Sequence, residues 1–286
     1  MKKSNTVFLT TIFPEIERYL GDFFISLEKQ TEKDFDILVI NDGFKDFNNY
    51  TRRFSNLNII DIEVRRSPAK NREAGINFAI ELGYKYIIFG DSDDYFSHNR
   101  VDISLKMLND YDIVVNDLTL FDEKGVISKK YISNRIKNNS EINIEFIKIK
   151  NIFGLSNTAI KVGELKHIKF DRELIAVDWH LFSLLLLQGK KAIFTNKVET
   201  FYRQYSSNTV GLGNLSQDDI LKGIDVKIKH YDLLQNEEND FKALFQEMNL
   251  LKRAIKDESY IENLQKQSVR IPFWWEEVRL IQKIEK

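Results

Sequence analysis

The chain contains no cysteine and, in 286 residues, only 3 prolines and 12 glycines. The absence of cysteine excludes disulfide bonds and thiolate metal sites, and it fits a reducing compartment such as the cytoplasm. The small number of prolines and glycines argues against long disordered linkers. No apolar run approaches the roughly 20 residues of a membrane-spanning helix, because the densest, LFSLLLL at 181–187, is far too short.

An excess of charge of one sign is also lacking. The chain has 42 lysines and arginines against 43 aspartates and glutamates, a formal net charge of -1. No global field therefore favours nucleic acid or another polyanion as a partner. Hydrophobic residues make up 43% and charged residues 30%, which is typical of a soluble globular protein with one large domain or a domain plus an appendage.

Strand and helix patterns alternate through the first half of the chain. The first apolar stretch has no small-residue cleavage site, so it predicts a buried strand and not a secretion signal. Strands separated by helices of this length indicate a parallel sheet with right-handed crossovers, whose ligand crevice lies beyond the carboxyl ends of the strands. The predicted strands are 7–13, 35–40, 57–64, 84–90 and 111–118, and the clearest helices are 69–83 and 100–108.

Polar clusters follow two of these strands. Asn41, Asp42 and Gly43 end the second strand, and the sequence DSDD (91–94) ends the fourth. Carboxylates this close repel one another unless a cation or hydrogen-bond donors balance them. An acidic turn or a helix cap explains one such cluster, but two that meet at one sheet edge favour a ligand site.

The second half of the chain is less regular. A buried helix is predicted from about 178 to 187, followed by a short strand, and the pattern is helical from Ser216 onward. We therefore place a boundary near 215, with a main domain at 1–215 and a helical C-terminal extension at 216–286.

Five motifs in order carry a resemblance to a known family: FDILVINDG, REAGINFA, YIIFGDSDD, VDWHLF and FYRQYSSNTVG. Over residues 7–211 the chain resembles the family 2 glycosyltransferases, which have the GT-A fold, an α/β fold with a mostly parallel sheet flanked by helices. The resemblance implies an inverting enzyme that moves a sugar from a nucleotide-sugar donor to a hydroxyl of a carbohydrate or glycolipid acceptor. It also implies a role in surface polysaccharide or lipopolysaccharide biosynthesis, and 1–215 as the catalytic domain.

The same resemblance implies a divalent metal. Negative charge builds on the leaving diphosphate, and Mn²⁺ or Mg²⁺, which prefer carboxylate oxygen, would stabilise it. By resemblance Asp93 binds the metal, and Asp91, a second expected ligand, lies near the donor ribose. Asp94 is either a further metal ligand or the cap of the following helix.

Residues for the donor follow from the resemblance as well. Asp42 is expected to accept a hydrogen bond from the nucleotide base, with Gly43 allowing a sharp turn beside it, although an ordinary Asx-turn also explains this aspartate. Arg203 is expected to hold the diphosphate, with Arg72 as a weaker candidate. Thr11, at the end of the first strand, completes the expected donor contacts.

The acceptor side depends on three residues. Asp178 is expected at a helix start as the general base, which takes the proton from the acceptor hydroxyl, while a role as helix N-cap is compatible. Gly154 and Trp179 are expected to contact the acceptor. Trp179 is equally well explained as a core residue.

Several positions depart from the family pattern. Tyr205 stands where a histidine is usual, Phe44 replaces a serine and Glu73 replaces an asparagine. A phenol is a poor ligand for Mg²⁺ or Mn²⁺ at neutral pH, so a third protein ligand is in doubt. Because these changes touch the donor pocket, the sequence does not identify the nucleotide or the sugar.

Other interpretations stay open. The C-terminal aromatics Phe273, Trp274 and Trp275 suit either a membrane-surface helix, at the inner face of the cell membrane, or packing within the protein or on a second subunit. A nucleotidyltransferase would also use acidic metal ligands, but TTIFPEIE has no glycine or basic residue to hold a triphosphate. A non-catalytic sugar-nucleotide-binding module would bind a donor without turnover.

Overall fold

The computed structural model describes residues 2–163, 165–205, 216–255 and 272–278. The chain forms two compact units, each assembled from separate segments. The first unit comprises Met1–Ile142, Phe153–Glu173 and Lys190–Tyr205. The second unit comprises Asn143–Ile152, Leu174–Gly189 and Ser206–Lys286.

The two units do not follow the predicted boundary near 215. Residues 143–152 and 174–189, which the sequence analysis placed in the main domain, group with the C-terminal segment. The helical pattern predicted after Ser216 is present as two helices. The assignment of 1–215 as the catalytic domain stays a prediction.

The first unit is built on one sheet. Its strand order is β3-β2-β1-β4-β9-β6-β10-β5, with β7 paired to β6 and β8 paired to β10. The strands are β1 (Thr6–Ile12), β2 (Asp36–Asn41), β3 (Ile59–Glu63), β4 (Tyr86–Phe89), β5 (Tyr95–Phe96), β6 (Ile113–Asp122), β7 (Gly125–Ser128), β8 (Glu141–Ile142), β9 (Thr158–Lys161) and β10 (Ala192–Arg203).

The sheet is mixed, and its longer pairings are parallel, as predicted. Strands β3, β2, β1 and β4 run parallel to one another, and β10 runs parallel to β6. The short strand β9 is antiparallel to both β4 and β6, so it joins the two parallel halves. Every residue of β2 is buried, which explains why its middle residues, 37–40, are continuously apolar and not alternating.

Helices cover the sheet of the first unit. They are α1 (Glu17–Glu28), α2 (Phe47–Thr51), α3 (Pro68–Glu81) and α4 (Arg100–Met107). The side of α1 that faces the core is apolar, because Leu20, Phe23, Phe24 and Leu27 are fully buried. Phe23 packs edge-on against Phe8 of β1, with ring centroids 5.9 Å apart.

Glycine is required at one point of close approach in the sheet. Gly90 follows β4 directly and precedes the DSDD loop, which we define as residues 91–94. A Cβ built on Gly90 would lie 2.7 Å from Cζ of Phe96 and closer still to the ring of Phe8. Only a residue without a side chain therefore lets the chain leave the sheet here.

The described part of the second unit is helical. Its helices are α5 (Ile144–Ile147), α6 (Val177–Leu187), α7 (Gln217–Leu234) and α8 (Asn239–Ala254). A capping box begins α7: the Ser216 hydroxyl accepts a hydrogen bond from the backbone of Asp219, and the Asp219 carboxylate accepts one from the backbone of Ser216.

Trp179 lies in the core of the second unit. It has no exposed surface, and its ring stacks on His230 with centroids 3.8 Å apart. Its indole N–H donates to the carbonyl of Ile147 at 2.7 Å. A ring covered in this way cannot stack on a sugar, so the predicted acceptor contact for Trp179 is wrong and the core alternative describes its environment. Burial also holds the pKa of His230 well below its usual value.

The C-terminal aromatics are only partly described. Phe273 is buried and its ring lies 6.2 Å from that of Phe146, which agrees with packing inside the second unit. The basic side chains of Arg279, Lys283 and Lys286 lie outside the described residues. In the ranges that are described, no helix has both the length and the apolar character to cross a bilayer.

Candidate functional site

The DSDD loop and the end of β1 are joined at the carboxyl edge of the sheet. Strand β1 lies between β2 and β4 and is parallel to both, so the three strands end at the same edge. The Ser92 hydroxyl donates to the carbonyl of Thr11 at 2.7 Å. The backbone N–H of Asp42 donates to the carbonyl of Ile12 at 2.8 Å. The prediction that both polar clusters open at one edge is confirmed.

The turn after β2 leaves Asp42 available. The Asn41 side chain forms the turn, because its Oδ1 accepts from the Phe44 backbone N–H at 2.8 Å and its amide donates to the Phe44 carbonyl at 3.1 Å. Gly43 has a φ of +89°, a conformation that favours glycine. Within the described residues no hydrogen bond or ion pair reaches the Asp42 carboxylate. The Asx-turn that was an alternative role for Asp42 is made by Asn41.

Asp91 is paired with the arginine of the REAG motif. Arg72 Nη2 lies 2.5 Å from Asp91 Oδ1, and each side chain is 26% exposed. The Asp91 backbone N–H donates to the hydroxyl of Ser156 at 3.3 Å. A small, mostly apolar cleft adjoins this pair, and Thr11, Asn71 and Arg72 are among its lining residues. Thr11 and Arg72, both predicted as donor contacts, therefore share one cleft.

Asp93 lies near other carboxylates with no cation in direct contact among the described residues. Its Oδ2 accepts a hydrogen bond from the neutral phenol of Tyr205 at 2.6 Å. Burial and the neighbouring charge of Asp91 raise the pKa of the Asp93 carboxyl. The negative charge of this aspartate is therefore incompletely balanced by the protein.

Asp94 is an internal anchor of the loop. It is 1% exposed, and its carboxylate accepts hydrogen bonds from the Ser156 hydroxyl and, at 2.8 Å, from the Arg203 backbone N–H. Burial and the charges of Asp93 and Asp91 raise its pKa well above the usual value. The predicted helix cap is wrong, because α4 begins at Arg100 and its N-cap is Asn99. As a metal ligand Asp94 is a poorer candidate than Asp93, because protein donors already occupy both of its oxygens.

Arg203 fastens the loop to the first helix. Its Nε donates to the Asp93 carbonyl at 2.8 Å, and its Nη2 lies 2.7 Å from Asp22 Oδ2 on α1. The guanidinium lies between two rings, 4.5 Å from the centroid of Tyr19 and 4.6 Å from that of Phe121. The arginine predicted to hold the diphosphate is therefore engaged by protein groups on several sides, and its side chain is only 12% exposed.

Tyr205 also links the DSDD loop to the first helix. Its ring stacks on Tyr19 with centroids 5.6 Å apart, and its hydroxyl donates to Asp93. Burial and the charge of Asp93 raise the pKa of Tyr205, so the phenol is protonated at neutral pH. The residue that replaces the usual histidine thus acts on a carboxylate as a hydrogen-bond donor.

The sequence analysis missed Arg100, which lies below the DSDD loop. This arginine has no exposed surface; it donates to Asn116 Oδ1 at 3.0 Å and to the Phe89 carbonyl at 2.6 Å. Burial lowers its pKa to about 9, and the charges of Asp94 and Asp91 oppose that shift. Its partners come from two strands, so no local sequence pattern indicated its burial. Tyr19 and Asp22 were also missed, because their partners Tyr205 and Arg203 lie far along the chain.

The predicted acceptor-side residues lie in different units. Asp178, in the second unit, is the second residue of α6, and its Oδ1 accepts from the Trp179 backbone N–H at 2.7 Å. The N-cap of this helix is Ala176, so the N-cap alternative for Asp178 is wrong while its place at a helix start is confirmed. Gly154, in the first unit, is buried and donates its N–H to Asn157 Oδ1 at 2.7 Å. Its role toward an acceptor stays a prediction.

A second acidic group lies in the second unit. Ligand atoms of Glu145, Glu238 and Asp240 lie within 4.8 Å of one another. The ammonium group of Lys148 already lies 2.6, 3.0 and 2.6 Å from these three carboxylates. A lysine thus occupies the position that a metal ion would need. Asp93 fits a hard divalent cation better, since it offers carboxylate oxygens that contact no cation among the described residues.

Comparison with known proteins identifies relatives of the sequence. The family model described as glycosyl transferase family 2 matches residues 8–170. Glycosyltransferase GlyA of Streptococcus pneumoniae serotype 4 is 27% identical over 213 residues, which cover 68% of this chain and 30% of that protein. An uncharacterized glycosyltransferase of Rickettsia bellii is 28% identical over 106 residues, covering 35% of this chain and 15% of that protein. The chain therefore spans less than a third of either relative.

Solved structures resemble the fold. S. aureus TarS 1-349 in complex with UDP-GlcNAc has a TM-score of 0.60 and 15% identity, covering 85% of this chain and 72% of that one. The mannosyltransferase PcManGT from Pyrobaculum calidifontis, in complex with GDP-Man and Mn²⁺, has a TM-score of 0.58 and 12% identity, covering 93% of this chain and 77% of that one. At these identities the likeness concerns the fold, and it confirms the predicted α/β architecture of the GT-A type.

Proposed function

The chain belongs to glycosyl transferase family 2, and on that basis we propose that it is an inverting, metal-dependent glycosyltransferase. It would move a sugar from a nucleotide diphosphate to a hydroxyl of a carbohydrate or glycolipid acceptor, in the synthesis of a surface polysaccharide or lipopolysaccharide. The observation that carries the proposal is the meeting of Asp42 and the DSDD loop at one edge of the sheet.

Binding of the donor is assigned to the first unit. Asp42 would accept a hydrogen bond from the nucleotide base, because its carboxylate has no partner in the described part of the chain. Thr11 and Arg72 line the adjoining cleft, so they are the proposed contacts for the rest of the nucleotide. TarS and PcManGT were solved with UDP-GlcNAc and GDP-Man, which supports a nucleotide-sugar as the class of donor.

The proposed metal ligands are Asp93 and Asp91. When bound there, Mn²⁺ or Mg²⁺ would supply positive charge against the leaving diphosphate. Tyr205 and Arg203 hold Asp93 from its side chain and its carbonyl, so the carboxylate is oriented before any ligand arrives. Arg203 would reach the diphosphate only by giving up part of its contacts with Asp22. We therefore assign it first to holding the loop.

Asp178 is the proposed general base. It would take the proton from the acceptor hydroxyl as that oxygen attacks the anomeric carbon from the face opposite the leaving diphosphate. Positioned proton transfer of this kind contributes about 10²–10⁴-fold in rate. The assignment is supported by the VDWHLF motif and by the place of Asp178 in the first turn of α6.

The test is a donor screen with purified protein. Nucleotide diphosphate release is followed for UDP-, GDP- and dTDP-sugars with Mn²⁺, with and without chelator. We expect slow, chelator-sensitive hydrolysis of one donor, lost in Asp93→Ala and kept in Asp110→Ala, a control at an exposed aspartate. Release of pyrophosphate instead would favour a nucleotidyltransferase. Donor binding without turnover, even with candidate acceptors present, would favour a binding module.

The base is tested by Asp178→Asn once a donor and acceptor are known. Transfer to the acceptor should fall by about 10²–10⁴-fold, because the amide cannot take a proton. Donor affinity, measured by calorimetry, should stay the same. Unchanged transfer would remove Asp178 from the mechanism and leave the donor site standing.

A further inference from the structure

The hairpin formed by β6 and β7 projects from the first unit, and we define its tip as residues 122–130. The turn is organised by Asp122, whose Oδ1 accepts from the backbone N–H groups of Lys124 at 2.8 Å and Gly125 at 3.1 Å. Phe121 pairs with Val126 across the antiparallel ladder. The tip therefore has a defined conformation.

The base of the hairpin is held firmly. Asp117 is 3% exposed, and its Oδ1 accepts from the backbone N–H groups of Ile132 at 2.9 Å and Ser133 at 3.2 Å. Its other oxygen accepts from the Ser133 hydroxyl. The chain that returns from the tip is thus fixed to β6 by hydrogen bonds, so the base of the hairpin is anchored.

The tip exposes two large apolar side chains. Val126 is 55% exposed and Ile127 is 52% exposed, more than any other large hydrophobic residue described in the first unit. Ile127 is the extra residue of a β-bulge, because Val126 pairs with Phe121 and Ser128 pairs with Leu120. The tip therefore carries two adjacent exposed apolar side chains with no polar residue between them.

The charges around these two residues are mainly positive. Lys124, Lys129 and Lys130 are exposed on either side of them, and Glu123 is the only exposed acid of the tip. Asp122 is half-buried, and its carboxylate is engaged in the turn. Apolar side chains between lysines match the boundary of an anionic bilayer, where acyl chains lie below negative headgroups.

We propose that the hairpin tip docks the protein on an anionic lipid surface by inserting Val126 and Ile127 among the headgroups. The place of the tip agrees with this role, because Phe121 pairs with Val126 on one side and with Arg203 on the other. The docked tip would thus adjoin the strand end that holds the DSDD loop. The proposal stands independently of sugar transfer, but it would bring a lipid-carried acceptor to that edge.

The experiment is co-sedimentation of the full chain with vesicles, without donor or metal. We expect binding to vesicles of phosphatidylcholine mixed with phosphatidylglycerol, weakened by salt, and little binding to phosphatidylcholine alone. The double variant Val126→Ser, Ile127→Ser should bind at least about tenfold more weakly. Lys129→Glu should weaken binding to the anionic vesicles only. Leu250→Ser, at a 59% exposed leucine on α8, is the matched control and should bind normally.

Three results would overturn the proposal. The first is no binding of the unaltered chain to anionic vesicles, and the second is equal binding by the double serine variant. The third is a dimer in sedimentation velocity that the double variant dissociates, which would make the tip an interface between two copies. Thermal melts confirm that the variants fold. Donor hydrolysis in solution should be unchanged in the double variant, so loss of vesicle binding and loss of catalysis are separable.

Discussion

The DSDD loop of the first unit and the acidic group of the second unit contain the same number of carboxylates, yet their electrostatics are opposite. In the second unit burial alone would lower the pKa of Lys148, but hydrogen bonds to Asp240, Glu145 and Glu238 outweigh burial and raise it. In the DSDD loop burial and the charge of neighbouring aspartates raise the pKa values of Asp93 and Asp94. In the second unit one lysine contacts all three carboxylates, whereas the Asp93 carboxylate of the DSDD loop contacts no cation among the described residues.

This difference shows that proximity of acids does not by itself identify a cation site. Glu145, Glu238 and Asp240 are close enough to bind a metal, but a lysine has taken that place. Asp93 has a neutral phenol as its partner, so a divalent cation would relieve repulsion there. The balance of charge within contact distance distinguishes a structural ion cluster from a candidate metal site.

The largest expected effect comes from neutralising Asp93. Asp93→Asn should reduce metal-dependent donor turnover by about 10²–10³-fold, since the metal contributes several kcal/mol of charge stabilisation to the reaction. Glu238→Gln, the matched change in the other acidic group, should leave turnover unchanged. Nucleotide diphosphate release with Mn²⁺ measures both variants. Equal losses in the two would contradict the distinction between the groups.

Tyr205 offers a finer test of the same loop. Tyr205→Phe removes the hydrogen bond that orients Asp93, and the affinity for Mn²⁺ should fall by about tenfold. The affinity is measured on the free protein by electron paramagnetic resonance of unbound Mn²⁺. Tyr86→Phe is the control, because among the described residues no hydrogen bond is made by the Tyr86 hydroxyl. A tighter Mn²⁺ complex in Tyr205→Phe would mean that the phenol blocks the site instead.

A substitution of Lys148 tests the acidic group of the second unit. Lys148→Met leaves three carboxylates without their ammonium, and the free energy of unfolding should fall by about 1 kcal/mol. The effect is modest because Glu145 and Asp240 are 64% and 65% exposed, so water screens much of their repulsion. In an Asp93→Asn background, Mn²⁺ should then raise the melting temperature of the Lys148→Met protein. If Mn²⁺ has no such effect, the freed carboxylates do not form a cation site.

Changes of pH should have the smallest effect of these tests, but they distinguish the two acidic groups without any substitution. Because the pKa of Asp93 is raised, this carboxyl takes up a proton while the pH is still above 3.8, the ordinary pKa of an aspartate. Since Mn²⁺ needs the ionised form, the rise in melting temperature that Mn²⁺ produces should be lost on acidification before the pH has fallen to 3.8. The contribution of Lys148 is fully present below pH 10.5, its ordinary value, and should be lost only as pH rises past it. Melting curves across pH, with and without Mn²⁺, measure both changes.

Much of the sheet and of the loop positions could be predicted from the sequence. The run ILVI at 37–40 is apolar because β2 is buried on both faces, and the rule for parallel strands placed Asp42 and the DSDD loop at one edge. The direction of β9 could not be predicted, since its four residues carry no signal that separates parallel from antiparallel pairing. Nor did any pattern show that 143–152 and 174–189 would fold with the C-terminal segment.

Side-chain roles were harder to predict than strand ends. Helix α6 is apolar on nearly every side, so its period could not reveal that Trp179 is enclosed. Arg100 is an arginine in the first turn of a helix, which usually indicates exposure, but the fold brings Asn116 and the Phe89 carbonyl to it. Asn41 and Asp42 are neighbours of similar shape, and only the structure shows which of them makes the turn.

Gly90 has a consequence for how this chain can change over evolutionary time. Because any side chain there would collide with the rings of Phe8 and Phe96, a substitution is tolerated only together with a smaller residue at one of those positions. Aligned relatives should therefore show covariation between position 90 and positions 8 and 96. A directed-evolution library aimed at a new donor sugar should leave codon 90 fixed and begin its diversity at position 91.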